Sequence, residues 1–207
     1  MIFFDFSDIA EANLDYAKYL IISNDYLEFD THHQLTLTHD FYEKAEADLQ
    51  NEKYPFRLFW INISLGIEIL AKAVLIQHQI DIFSKKDDKE FEQGSKVIVR
   101  ENDWLKTVLE AKNIIYISQI HTGTVGQLYK KYFKKLRQKD IISLLELKLI
   151  EAGLKTLANH RRNNDLHFYF KRNVFIREND LTQQYIPLVN LLLDIFNRPQ
   201  LVENQSI

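Results

Sequence analysis

Between Phe56 and Ile80 the chain leaves almost no polar face for a helix to present to water. Leu58, Phe59, Ile61, Ile63, Leu65, Ile67, Ile69, Leu70, Val74 and Leu75 cover most of the wheel, and a helix apolar on most sides belongs at the centre of a fold. Tyr54-Pro55 separates it from what precedes, because the residue before proline disfavours helix. Glu68 and Lys72 stand four apart inside it, the spacing of an intrahelical ion pair, here expected to be partly buried.

A central helix needs others around it. Only 5 Gly and 3 Pro occur in 207 residues, so Leu-, Ile-, Lys-, Glu- and Ala-rich stretches run long. That excludes a collagen-like or Pro/Gly-rich disordered chain and predicts an all-α bundle of five or more long helices. The length fits one domain, or one with a sizeable insertion.

Asp8-Ile9-Ala10-Glu11 has capping-box spacing and opens a predicted helix near 8–29, with Leu14, Ala17 and Ile21 at helical intervals. A second helix is expected from His39-Asp40 to Lys53. Ser84 to Gly94 is charged and reads as a loop, Val97-Ile98-Val99 as a short strand, and Asn102 or Asp103 caps a helix through Ser118. His121 to Thr124 reads as a turn, followed by a helix from Val125 and a long apolar-periodic segment from Asp140 through Leu157. A last helix starts near Asn179-Asp180, with Pro187 kinking it or marking its true start. No internal repeat is present.

Without cysteine there is no disulfide framework, thiolate zinc site, iron–sulfur cluster or cysteine nucleophile. The first residues lack the basic start and unbroken apolar run of a secretory signal. The longest uncharged window, Asn113 to Tyr129, is interrupted by polar residues and falls short of the ~18 apolar residues of a membrane span. These features predict a soluble, cytoplasmic protein with no membrane partner.

The net charge of −3 hides an asymmetry. Residues 1–60 hold 12 acids and 4 bases, whereas residues 130–177 hold 4 acids and 13 bases. A polyanion-facing surface on an acidic body is one reading, and a solvated basic helix face offset by the acidic N-terminal segment is the other.

The densest polar crowding is Asn159-His160-Arg161-Arg162-Asn163-Asn164-Asp165-Leu166-His167-Phe168-Tyr169. At about 100° per residue, Asn163 and His167 lie roughly 40° apart on a helix, whereas Arg162 and His167 lie roughly 140° apart. A straight helix would not aim both at one target, so Arg162 is expected on a bend before a new helix capped by Asn164 or Asp165. Arg and His together suit phosphodiester chemistry. A guanidinium clamps a phosphate and offsets charge developing on it. An imidazole takes the proton from a ribose 2′-hydroxyl or delivers one to the leaving oxygen. Such a pair cleaves RNA without a metal and spares DNA. The competing reading is a capping cluster, with Asp165 paired to Arg161 and His167 a satisfied core histidine.

Arg162-Asn163-Asn164-Asp165-Leu166-His167, extended by Tyr169, resembles the R-x4-6-H motif of the HEPN superfamily in its R-x4-H-x-Y form. The apolar helix around Glu68 and Lys72 resembles the HEPN helix in which Glu and Lys recur at this spacing, and the order of the two segments agrees. The resemblance spans roughly 55–196. It implies a HEPN-like domain over 55–198; residues 1–54 match no piece of the family and are read as a helical extension packed on the bundle, and 199–207 as a flexible tail. It further implies a homodimer whose two Arg162 and two His167 build one cleft for single-stranded RNA, with Asn163 orienting the site and Glu68 and Asp165 supporting it. No metal or cofactor is called for. Many members are toxins or phage-defence nucleases, and in the R-x4-H-x-Y branch a nucleotidyltransferase partner silences the nuclease by adding AMP to the tyrosine, here Tyr169. Other relatives are non-catalytic modules that bind nucleotide, RNA or a nucleotidyltransferase.

Lys130, Lys131, Lys134 and Lys135, interleaved with Tyr129, Tyr132 and Phe133, either track RNA phosphates and stack bases or form a solvated face above a packed one. Arg161, Lys171 and Arg172 extend the candidate phosphate surface, although the last two also suit the end of the motif helix. His32-His33 and His39-Asp40 lack a second well-spaced cluster and read as loop histidines rather than metal ligands.

Overall fold

The apolar segment folds as one unbroken helix, Pro55–Gln77, in which Phe59, Ile63, Ile67, Leu70, Ala71, Ala73, Val74 and Leu75 are fully buried. A computed structural model describes residues 6–50, 55–80, 82–86, 98–99, 120–122, 124–162 and 180–199. In chain order these form α1 (Phe6–Ile22), β1 (Leu27–Phe29), β2 (Leu35–Leu37), α2 (Phe41–Gln50), α3 (Pro55–Gln77), β3 (Phe83–Lys86), β4 (Ile98–Val99) and β5 (Ile120–Thr122). There follow α4 (Val125–Gln127), which passes through a π turn, π1 (Leu128–Tyr132), into α5 (Phe133–Gln138), then α6 (Leu144–Arg162), and a second π turn, π2 (Leu181–Tyr185), leading into α7 (Ile186–Phe196). The described chain is mostly helical, as the composition predicts. The span Leu58–Gln77 is long and apolar enough to cross a membrane, but 67% of its most apolar window is buried inside the fold.

α1 packs along α3 in the opposite direction. Asn62 donates to the Ser23 hydroxyl at 2.9 Å, while one turn further along α3 the Gly66 backbone lies against Ala17 and Ile21. A Cβ at Gly66 would stand 2.6 Å from Ile21 Cγ1 and 3.0 Å from the Ala17 carbonyl oxygen, so the missing side chain sets the helix separation.

α1 ends at Ile22, not near residue 29 as the apolar spacing predicts. Asp25 is left-handed (φ 54), and its N–H donates to the Ile22 carbonyl at 3.1 Å, which turns the chain out of the helix. The apolar residues beyond it enter an antiparallel hairpin instead, with Leu27 opposite Leu37 and Phe29 opposite Leu35. Its three-residue loop carries His33 at φ 58, the left-handed position such loops require. Asp30 Oδ1 accepts from the N–H groups of His32 and Gln34 at 2.8 and 2.9 Å, so His32 and His33 are turn residues with exposed side chains.

The hairpin is held from two sides. Tyr26 is fully buried, packs on Phe59 with centroids 4.8 Å apart, and donates its hydroxyl to Asp48 of α2; burial and this carboxylate push the phenol well above its ordinary pKa. On the far side Leu35 N–H donates to Asn190 Oδ1 at 2.7 Å and Asn190 Nδ2 donates to the Leu35 carbonyl at 3.2 Å. One side chain of α7 thus satisfies the outer edge of β2, where an unpaired strand would invite association.

Two further expectations change. β3 occupies part of the segment read as a charged loop, and β5 lies where a turn is expected; they pair antiparallel, Ser84 opposite His121, with β4 on the other side of β3. A ladder between residues so far apart in sequence leaves no local signature. β4 does fall within the predicted strand. The helix predicted over 102–118 lies outside the described residues, as does the tail beyond residue 199.

α6 starts at Leu144 rather than Asp140. Asp140 is left-handed (φ 54), with Ile141 N–H bonded to the Leu136 carbonyl at 3.0 Å and Asp140 N–H to that of Arg137 at 3.1 Å. This is a Schellman ending for α5. α6 is then opened by a capping box, Ser143 N–H to Glu146 Oε2 at 2.6 Å and Glu146 N–H to Ser143 Oγ at 3.2 Å. The last helical stretch begins at Asp180, as the sequence predicts, and Pro187 lies inside it, just past the π turn in which Ile186 N–H bonds to the Leu181 carbonyl.

Arg198, just past α7, gathers three elements. It donates to the Ile141 carbonyl at 2.8 Å, to Glu146 at 2.5 Å and to Asp194 at 2.6 Å. The Arg198 hydrogen bond is the main reason the Glu146 carboxyl is lowered from 4.5 to about 2, against the opposing effect of burial, with Ser143 assisting. Because the folded state holds Glu146 ionised below its unfolded pKa, this stabilisation is complete above about pH 4.5 and is lost as pH falls toward 2.

Two stability measurements follow. Gly66→Ala, judged by urea unfolding, is expected to cost about 1–3 kcal/mol, because the new methyl meets backbone as well as side chain. Gly153→Ala should cost less, since its Cβ meets only the Leu188 side chain, nearest atom 2.8 Å away. Acid unfolding should show about 1–3 kcal/mol lost between pH 4.5 and 2, and Arg198→Met should remove most of that dependence.

Candidate nucleic-acid interface

The basic segment and the helix that ends at Arg162 form one side of the fold. α4, π1 and α5 pack on α6, burying Leu128, Tyr132, Phe133 and Leu136 completely. The π turn adds one residue to the repeat, so Leu128, Tyr132 and Phe133 all reach the core. Tyr132 and Phe133 are therefore not available to stack bases, which corrects that part of the sequence reading. Lys130, Lys131 and Lys134 are exposed and Lys135 is half-buried. The Lys130 ammonium lies 5.8 Å from the centroid of the half-buried Tyr129 ring, which leaves Tyr129 as the one aromatic of the three with an accessible face. The lysines stand above a packed layer, the geometry of a solvated face that can also carry phosphate contacts.

α6 turns Leu147, Ile150, Gly153, Leu154 and Leu157 inward, the i, i+3, i+6, i+7, i+10 stripe of an amphipathic helix. Its opposite face is unusual. Leu144, Leu145 and Leu149 are 56%, 67% and 55% exposed, beside the exposed Lys148, Ala152 and Lys155. Leu145, Leu149, Ala152 and Thr156 follow one another at intervals of four, three and four, the spacing at which helices pair along a seam.

Arg162 is the last residue of α6 and Arg161 precedes it. The side chains of both, and all of Asn163, Asp165, His167, Tyr169, Lys171 and Arg172, lie outside the described residues. The bend expected at Arg162 falls at the edge of the described residues. Glu68 and Lys72 do meet: Lys72 Nζ donates to Glu68 Oε1 at 2.6 Å, with side chains 18% and 12% exposed. The partly buried pair expected from the sequence is thus in place on the central helix. Among the described residues no group of three His, Asp or Glu side chains is arranged to hold a metal.

The electrostatics follow the sequence asymmetry. Exposed Lys130, Lys131, Lys134, Lys148 and Lys155 share the α4–α6 side, where Asp140 is engaged by Arg137 at 2.5 Å and Glu146 by Arg198. α1 presents Asp8, Glu11 and Asp15 instead. Sequence reasoning missed His78, a buried histidine at the end of α3, and Asn190. Asn190 is a single polar residue inside an apolar run and His78 stands between Gln77 and Gln79, and the partner of each lies more than 100 residues away in sequence.

Comparison of the chain with protein-family models, with curated proteins and with solved structures finds no match.

Proposed function

We propose that this protein is a metal-independent endoribonuclease of HEPN type that cleaves single-stranded RNA as a homodimer, in a toxin or phage-defence role. The observation that carries the reading is the Arg162-x4-His167-x-Tyr169 spacing, which begins on α6. The Glu68–Lys72 pair on the central helix, the lysines beside α6 and the exposed leucine seam of α6 support it. Two copies paired in parallel along that seam would bring their Arg162 ends to one cleft.

In the proposed reaction His167 accepts the proton of a ribose 2′-hydroxyl as its oxygen attacks the adjacent phosphorus. The bond from phosphorus to the 5′-oxygen breaks, and that oxygen receives a proton from the second imidazole of the composite cleft. The products are a 2′,3′-cyclic phosphate, or its opened form, and a 5′-hydroxyl. Arg162 holds the phosphate and offsets its growing charge. Asn163 orients the pair, Glu68 and Asp165 support it, and Tyr169 is the point at which an adenylylating partner would silence it.

The test is incubation with a labelled single-stranded RNA in EDTA. The wild type should cut the RNA and leave a DNA of the same sequence intact, and Arg162→Ala and His167→Ala should each lose at least about 100-fold in rate while keeping the wild-type circular dichroism. Leu145→Glu with Leu149→Glu should give a monomer that is equally inactive. Either single variant cutting at the wild-type rate would contradict the assignment, and RNA or nucleotide retained without product would favour the non-catalytic binding module.

A further inference from the structure

A buried imidazole stands at the end of the central helix, apart from the proposed reaction. His78 is 3% exposed, and its Nε2 lies 2.8 Å from the carbonyl oxygen of Ile195 in the last turn of α7. A carbonyl only accepts, so Nε2 carries the hydrogen and Nδ1 holds a bare lone pair. Nδ1 is buried without a protein partner, and so is the neighbouring Gln77 Oε1.

His78 has little room to escape. Gln79 is left-handed (φ 56), and the helix end is closed by Ile80 N–H to the Leu75 carbonyl at 2.8 Å and Gln79 N–H to that of Ile76 at 2.9 Å. This is a Schellman ending on a residue other than glycine. Two cations, Arg198 after α7 and Lys139 at the end of α5, act electrostatically on the ring. The acids on these elements are engaged elsewhere: Glu146 and Asp194 by Arg198, and Asp140 by Arg137. On α3 itself the nearest charges in sequence are Glu68 and Lys72, which pair with each other.

A proton arriving at Nδ1 therefore creates a second buried N–H with no acceptor within hydrogen-bond reach among the described residues, and a positive charge that Arg198 and Lys139 disfavour. We propose that His78 is an acid-operated latch between the ends of α3 and α7, closed while the imidazole is neutral and released when it is protonated. The release reaches beyond α7, because Arg198 ties its end to Glu146 and Ile141 at the start of α6. Burial first, and then Arg198 and Lys139, hold the imidazole below its ordinary pKa of 6.5, against the Ile195 hydrogen bond. The open state therefore takes the proton first: the latch is at full strength above about pH 6.5 and weakens as pH falls below it. The latch begins to weaken at a higher pH than the Glu146 contact does, and it does not depend on the nuclease reading.

The test is hydrogen–deuterium exchange of the full chain at pH 7.5 and 5.5, corrected for intrinsic exchange rates. Opening of residues 193–198 should increase several-fold at pH 5.5, to no more than about tenfold, the limit for one proton taken up across one pH unit, while α1 stays constant. In His78→Gln, whose amide can still donate to Ile195, the increase should vanish. A nitrogen-detected titration of the wild-type imidazole guards against a variant that fails to fold, and should show the Nε2–H form persisting below the ordinary imidazole pKa of 6.5. Equal protection of residues 193–198 at the two pH values, an unchanged acid response in a folded His78→Gln, or a midpoint at or above 6.5 would each overturn the latch.

Discussion

The close approach of α1 to α3 at Gly66 is the contact on which the rest of the fold depends. Because no side chain intervenes there, Ala17 and Ile21 settle directly on the central helix, and the end of α1 lands where Ser23 can accept from Asn62. That fixes where the chain turns at Asp25, which places Tyr26 against Phe59 and delivers its hydroxyl to Asp48. Lys44 of α2 then reaches back to the Asn24 and Asp25 carbonyls at 2.9 and 3.1 Å. Apolar burial drives these elements together, but the order in which they can stack is set by one glycine.

The other half of the molecule is organised by polar groups at helix ends. Such ends carry backbone groups that the helix itself does not satisfy, and here long side chains from α7 and its C-terminal flank supply the partners. Asn190 closes the edge of β2, and Arg198 joins α7 to the beginning of α6. His78 meets the same end of α7 from α3. α6 is thus held at its start by charge and along one side by packing, with Leu144, Leu145 and Leu149 exposed on the other.

The parts legible in the sequence are those with a strong local period. α3 was marked by its all-round apolarity, the Glu68–Lys72 pair by its spacing, and the inward stripe of α6 by Ile150, Leu154 and Leu157. The hairpin was not read, because Tyr26, Leu27 and Phe29 prolong the helical spacing of α1, and the left-handed turns at Asp25 and His33 use residues other than glycine. The π turn at Leu128–Tyr132 has no local signature either; Tyr132 and Phe133 are both buried there, and of the two readings of this segment the packed layer beneath exposed lysines is the one that describes them. At the candidate site the sequence supplies residue types and spacing, and the described structure reaches only to Arg162. Asn190, His78 and Arg198 owe their roles to long-range partners, which no local pattern encodes.

The account rests on the 2′-hydroxyl as the attacking group, with no metal-bound water in its place. The most direct measurement uses one RNA in two forms, all-ribose and with a single 2′-deoxynucleotide at the position cut in the first, each incubated with the protein in EDTA and read by mass spectrometry. The account predicts that the all-ribose strand yields a fragment ending in a 2′,3′-cyclic phosphate or its opened form, and that the deoxy position is not cut. Cleavage at the deoxy position would contradict it, and so would a folded dimer that leaves both strands whole.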